Sequence, residues 1–155
     1  MTSVGTRARR SDGEAKVTGS AVYTVDFDLP GALTARILRS PVARGKIKRL
    51  DVSAARDVAG VWAVLTADDA PGHRSGLAIK DQLLFAHERI LYEGEPIAVV
   101  AADDRDAAER AIAAIELEIE EEDPVVDLDE AVKEGSPLVH PDWERFEPVH
   151  SDFPR

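Results

Sequence analysis

A chain of 155 residues, 44% hydrophobic and 32% charged, has the size and composition of one globular domain. Thirty acidic against nineteen basic side chains leave a formal net charge of −11, which opposes the phosphate attraction that nucleic-acid binding requires. Zero cysteines exclude a disulfide, a thiolate zinc site, a cysteine-ligated iron-sulfur cluster and a cysteine nucleophile.

No apolar run approaches the roughly 18 residues of a membrane span, and the start MTSVGTRARR continues into SDGEAK rather than into an apolar signal core. The expectation is therefore a cytoplasmic protein with no membrane and no nucleic-acid partner. Basic residues Arg7, Arg9, Arg10 and Lys16 crowd the start, and carboxylates load residues 116–123. The simplest reading of that asymmetry is a solvated face, with docking onto a larger subunit as the functional alternative.

Residues 1–18 are polar and contain glycine, so they read as an extended arm ahead of a folded domain over 19–136. Alternation of Ala21, Tyr23, Val25 and Phe27 predicts a first strand, ended by Leu29-Pro30-Gly31. Residues 33–39 and 46–52 predict two more strands as a hairpin-like pair, separated by Ser40-Pro41 and by a turn at Gly45-Lys46. Ser53 is the expected N-cap of a short helical turn that Gly60 ends, and 61–65 reads as a strand buried on both faces with Trp62 in the core.

Thr66-Ala67-Asp68-Asp69 then predicts a capped helical turn stopped by Pro71-Gly72. Ile90 to Tyr92 turn at Gly94 into a central strand over 96–102, and Asp103 or Asp104 caps a helix whose apolar face is Ala108, Ala111, Ile112 and Ile115. In that helix Asp106 stands four residues before Arg110, a supporting charge pair. Over 116–120 the period switches to two, which turns Leu117 and Ile119 inward and three glutamates outward. This strand-helix-strand order gives a right-handed crossover if the two strands are parallel. Residues 137–155, rich in proline and aromatic side chains without periodicity, read as an extended tail, with Trp143 as a docking anchor.

Chemistry is mostly missing. No glycine-rich phosphate loop occurs, and His73-Arg74-Ser75 lacks the strained elbow of a serine nucleophile, so it reads as a polar loop. His140-Pro141-Asp142 and His150-Ser151-Asp152 offer nitrogen and oxygen at metal-like spacing, but solvated histidines on an extended tail are the preferred reading over an independent metal enzyme. Glu116, Glu118 and Glu120 share one strand face and read as a charged surface, not as an acid-base pair. No catalytic, cofactor-binding or metal-ligating residue is assigned.

A series of local signals nonetheless runs in order along the chain: Arg9-Arg10-Ser11-Asp12-Gly13 with Lys16-Val17-Thr18-Gly19, then Ala21-Val22-Tyr23 and Leu29-Pro30-Gly31. Further on come Leu38-Arg39-Ser40-Pro41, Gly60-Val61-Trp62-Ala63-Val64-Leu65-Thr66, Tyr92-Glu93-Gly94-Glu95-Pro96 and Leu138-Val139-His140-Pro141. The series resembles the N-terminal domain of the molybdenum-binding large subunit in the xanthine dehydrogenase and aldehyde oxidase family. Two departures are visible: Val42 stands where that family commonly has His, and Glu95 where it commonly has Gln.

The resemblance implies an α/β (α+β) hammerhead fold, a mixed sheet with flanking helices in a single domain. It implies an enzyme that hydroxylates a small organic substrate with water-derived oxygen, of which this chain is a non-catalytic part, split subunit or fragment. The molybdenum-pterin cofactor, 2Fe-2S clusters and FAD are expected in the holoenzyme, on a molybdenum-cofactor-binding large chain and on iron-sulfur and flavin subunits; none is bound by this chain alone. Loops set on rigid strands often carry contacts, which makes Arg39, Ser40 and Pro41 and the turn Tyr92, Glu93, Gly94, Glu95 and Pro96 candidate partner-contact residues, with part of a substrate channel as a further role. The alternative is a stand-alone binding or scaffold module that has lost its catalytic partner.

Overall fold

The computed structural model describes residues 5, 9–27, 29–70, 72 and 74–146. These fall into two compact units divided between Ala32 and Leu33. Pro71, His73, His150, Asp152 and the rest of 147–155 lie outside the described residues.

In the first unit, α1 (Gly13–Val17) is a single helical turn flanked by Asp12, whose carboxylate pairs with Arg10 at 2.8 Å and Lys16 at 2.5 Å. The predicted strand over 21–27 does not form. Thr24–Asp26 is instead a 3-10 turn in which the Asp26 carboxylate accepts the Tyr23 N–H at 2.8 Å. Local capping by an Asp three residues on outcompetes an alternation that has no neighbouring strand to pair with. The arm is thus helical in part rather than extended throughout.

The second unit contains β1 (Thr34–Arg39), β2 (Gly45–Asp51), α2 (Ser53–Arg56), β3 (Val61–Thr66), β4 (Arg74–Ser75), β5 (Gln82–Leu83), β6 (Arg89–Ile90), β7 (Pro96–Ala102), α3 (Arg105–Ala113), β8 (Glu116–Glu121) and α4 (Leu128–Ala131). Two three-stranded sheets, ordered β1-β7-β3 and β6-β2-β8, and a small β4-β5 ladder make up its strand pairing. The α+β class stands, and the ladders are antiparallel rather than mixed. The expected hairpin of 33–39 with 46–52 is replaced by membership of different sheets, since β1 pairs with β7 and β2 with β8. For the same reason β7, α3 and β8 are no parallel crossover.

Apolar patterning explains the two cores. Ala102, Val100 and Val64 meet Ala107, Ala108 and Ala111 of α3 and Ala55 of α2; the small alanine face lets the helix lie close against the sheet. The second core joins Ile90 and Ile97, both fully buried, to Leu50, Leu117, Ile47 and Ile119 across the β2-β8 pair. Of the two residues proposed to cap α3, Asp104 does so, accepting the Ala107 N–H at 2.7 Å, and the charge pair that forms on this helix is Arg105–Glu109 at 2.6 Å, not Asp106 with Arg110.

The central position of 96–102 agrees with its apolar run, and the inward turn of Leu117 and Ile119 with their alternation. Thr66 and Asp69 form the expected capped turn over Ala67–Asp69. Around the Ser53 helix the cap differs, because Asp51 rather than Ser53 supplies the oxygen and accepts from the Ser53 N–H and hydroxyl.

Two further expectations fail. β3 is an edge strand and is not buried on both faces: Trp62 is 71% exposed at a register shift, its indole N–H donating to Asp103 Oδ1 at 2.6 Å. Gly45 is not in a turn but is the buried first residue of β2, flanked by Ile90 and Glu121. A Cβ there would lie 2.8 Å from the Glu120 carbonyl oxygen, so glycine is required by close backbone approach.

Candidate functional site

The two turns singled out as contact candidates close on one another. Where β1 ends, the ladder shifts between Leu38 and Arg39, placing Arg39 opposite Pro96. Ser40 then donates its N–H to the Glu95 carbonyl at 2.9 Å and its own carbonyl accepts the Gly94 N–H at 2.9 Å. Arg39 adds a guanidinium bond to the Gly94 carbonyl at 2.8 Å. Gly94 adopts φ +83°, a conformation that side chains with a Cβ disfavour. Ser40 Oγ bonds within its own turn, to the Val42 carbonyl at 2.7 Å and from the Val42 N–H at 3.1 Å.

This divides the candidates by role. Ser40 and Glu95 are buried and hold the turns together, while Arg39, Pro41, Tyr92 and Glu93 are exposed and present themselves outward. Glu95 is a buried carboxylate with one strong partner, the Leu91 N–H at 2.6 Å on Oε2. Burial pushes its carboxyl above the usual range, opposed by the backbone N–H groups of Leu91 and Tyr92 and by nearby His140. A cavity of about 160 Å³ lies beside it, lined also by Arg74, Asp81 and His140.

The tail segment that carries His140 packs through Phe146, which is 8% exposed. The Arg74 guanidinium lies 4.7 Å from the Phe146 ring centroid, and His140 meets the ring edge-on at 5.2 Å. Arg74 is also anchored through the Asp81 carbonyl at 2.9 Å. Trp143, the expected anchor, sits in a 3-10 turn (Trp143–Arg145) and is half exposed; the residue that ties this segment down is Phe146.

Leu91, Tyr92 and Val139 also line a larger groove of about 520 Å³. Val126 and Leu138 add to its apolar lining, and Arg44 and Arg89 to its charged lining. Glu122 is shared by three cations: Arg44 Nε at 3.1 Å, Lys46 at 3.4 Å, and Arg89. Burial alone would raise the Glu122 carboxyl, but the Arg44 hydrogen bond together with Arg89 and Lys46 holds it below the usual range. Arg44 Nη1 is buried without a hydrogen-bond partner among the described residues. Neither Arg44 nor Glu122 was singled out from sequence, because partners 78 positions apart leave no local signal.

Glu116, Glu118 and Glu120 form the charged face read from their alternation, paired across the β2-β8 ladder with Arg49 at 3.0 and 3.8 Å and Lys48 at 2.8 Å. Among the described residues no group of three His, Cys, Asp or Glu can hold a metal ion, and no helix is long and apolar enough to cross a membrane. Without cysteine the chain offers no thiolate to an iron-sulfur cluster. The described residues do not fit a molybdenum-pterin group either, since they supply no glycine-rich cradle for its phosphate.

The fold is that of a hammerhead-type α+β domain. Residues 18–123 match the family described as aldehyde oxidase and xanthine dehydrogenase, a/b hammerhead domain. The chain is 34% identical over 151 residues to the nicotinate dehydrogenase large molybdopterin subunit of Eubacterium barkeri, covering 97% of this chain and 36% of that protein. It is 34% identical over 130 residues to the carbon monoxide dehydrogenase large chain of Hydrogenophaga pseudoflava, covering 81% and 16%. Among solved structures, reconstituted CO dehydrogenase from Oligotropha carboxidovorans superposes with a TM-score of 0.80 at 32% identity, covering 89% of this chain and 18% of that one. The chain belongs to the aldehyde oxidase and xanthine dehydrogenase family. It spans about a third of the first of these relatives and under a fifth of the others.

Proposed function

We propose that this chain is the hammerhead part of a molybdenum-dependent hydroxylase, carrying no reactive group of its own and working as a docking element for the polypeptide that binds the molybdenum-pterin cofactor. That polypeptide is either joined to it or assembled with it, and iron-sulfur and flavin subunits complete the electron path. The small organic substrate would be hydroxylated on the larger chain, with the exposed residues Tyr92 and Glu93 and their neighbours Arg39 and Pro41 forming contacts and part of a channel wall. Zero cysteines suit the reducing cytoplasm.

The observation that carries this reading is the combination of family membership with partial length. A domain that accounts for 36% or 16% of its relatives meets further protein in them, and this one exposes Trp62, Val126, Leu128 and Val132 at 71%, 84%, 85% and 82%. Covering such side chains with further protein favours association. The test is purification through a tag on this chain, followed by metal analysis and an oxidase assay with an artificial electron acceptor. A larger molybdenum-containing chain should accompany it and carry all of the turnover. A metal-free chain that oxidises substrate alone, or that purifies without such a companion, overturns the reading.

A further inference from the structure

We propose that the groove between Tyr92 and Val126 receives an extended, largely apolar segment of the larger polypeptide, and that a single aspartate or glutamate in that segment pairs with the Arg44 guanidinium. The proposal rests on the docking reading above and names the surface and the chemistry by which docking occurs. A volume of about 520 Å³ is within the range that holds a ligand or a few side chains. Its walls include Leu91, Val126, Leu138 and Val139, of which Val126 is 84% and Leu138 58% exposed. These side chains gain by being covered.

Charge fixes what the segment carries. Arg44, Lys46 and Arg89 converge on Glu122, Glu93 also lines the groove and Glu120 is paired with Lys48, so this corner holds one positive charge in excess on a chain whose formal net charge is −11. The Arg44 side chain lines the groove and is 18% exposed, so a carboxylate seated there meets its guanidinium in a charge-assisted hydrogen bond. That carboxylate balances the excess. Glu93, exposed on the rim, disfavours a second acidic residue in the segment. A polyacidic partner is also repelled by the chain as a whole, which leaves a lone acid within an apolar stretch as the matching occupant.

The test uses the assembly isolated through a tag on this chain, with a benzophenone photo-cross-linker installed in place of Val126. Irradiation should link it to one peptide of the larger chain, apolar with one Asp or Glu. Cross-linking to a second copy of this chain, to a segment without a carboxylate, or to nothing while the assembly remains intact overturns the proposal. In parallel, Arg44→Gln and Val126→Asp should each weaken association at least tenfold, whereas Leu77→Asp, at a 96% exposed position that does not line the groove, should not. Val126→Asp changes a surface side chain and leaves the fold intact, so it decides the matter if Arg44→Gln unfolds. Should the unaltered chain retain no larger polypeptide, the docking reading itself fails. If it assembles and both groove variants assemble equally well, only the groove assignment fails.

Discussion

Gly45 offers a demanding test of the β2-β8 pairing, because its substitution by alanine adds one methyl group at a place where the backbone of another strand already stands. An ideal Cβ at Gly45 lies 2.8 Å from the Glu120 carbonyl oxygen and 2.8 Å from Ile119 Cγ2, against a comfortable separation of about 3.5–4.0 Å. Ile119 packs against the second core, and the Glu120 carbonyl is backbone, so the ladder must open by roughly 0.7 Å or more to regain that separation. β6 pairs with Gly45 on the opposite side through Ile90, which blocks relief in that direction. Overpacking of this kind costs about 1–3 kcal/mol. Restricting the unfolded chain returns about 0.4–1 kcal/mol, so Gly45→Ala should be destabilised by about 1–2 kcal/mol.

Urea unfolding followed by circular dichroism measures this loss directly, with Gly13→Ala as the control. Gly13 is in helix α1, where a Cβ meets only Arg10 Cβ at 3.5 Å, so alanine there should be neutral or stabilising by up to about 1 kcal/mol. Because the Arg44 carbonyl accepts the Glu122 N–H at 3.1 Å, spreading the ladder at Gly45 also displaces the Arg44–Glu122 pair at the groove. A Gly45→Ala variant as stable as the unaltered chain would refute the tight β2-β8 approach and the placement of Arg44 that follows from it.

Ile97→Ala should lose about 2–5 kcal/mol, since Ile97 is fully buried between Ile90 and the β2-β8 pair and its removal leaves a cavity; a loss below about 1 kcal/mol in a urea titration contradicts that core. Asp104→Ala removes the oxygen that accepts the Ala107 N–H at 2.7 Å and should cost about 1 kcal/mol. Calorimetry reads that cost as a midpoint lowered by roughly 2–4 °C. Asp51 is held down to about 2, chiefly by the Ser53 hydroxyl and N–H and then by Arg49. Its folded form therefore adds stability above the unfolded carboxylate pKa, and that stability fades as pH falls towards 2. Asp51→Asn should narrow the difference in melting temperature from the unaltered chain over that same acid window, and an unchanging difference speaks against the Ser53 contacts.

Legibility in the sequence followed the range of the interaction. Period-two alternation at 116–120, the Thr66–Asp69 capping pattern and the Asp104 cap are decided within a few residues, and each is where the pattern placed it. Pairing partners were not legible. β1 and β2 look like a hairpin because they adjoin in sequence, yet the register that buries Ile97 and Val100 sends them to different sheets. Gly45 just ahead of a strand pattern reads as a turn because glycine is a common turn residue, whereas the reason for glycine is the carbonyl of Glu120, far along the chain on β8. The strand predicted at 21–27 shows the opposite error, since alternation without a neighbouring strand gives no ladder and a nearby Asp captures the backbone instead.

Glu95 brings the turn, its chemistry and the family resemblance into one argument. Burial raises its carboxyl above the usual range, so the folded state binds its proton more tightly than the unfolded state does. By linkage, the stability Glu95 contributes is complete below the unfolded value of about 4.3 and is lost as pH rises through the raised folded value. At neutral pH the ionised side chain is thus a burden on the very turn that presents Tyr92. Glutamine has the same shape, keeps an oxygen for the Leu91 N–H and carries no charge, and it is the residue the resembling family commonly places here. Glu95→Gln should therefore stabilise the chain at pH 7, with an advantage that shrinks towards pH 4 in a series of thermal melts. An advantage independent of pH would mean that the carboxyl is not the buried, proton-holding group that its 6% exposure implies.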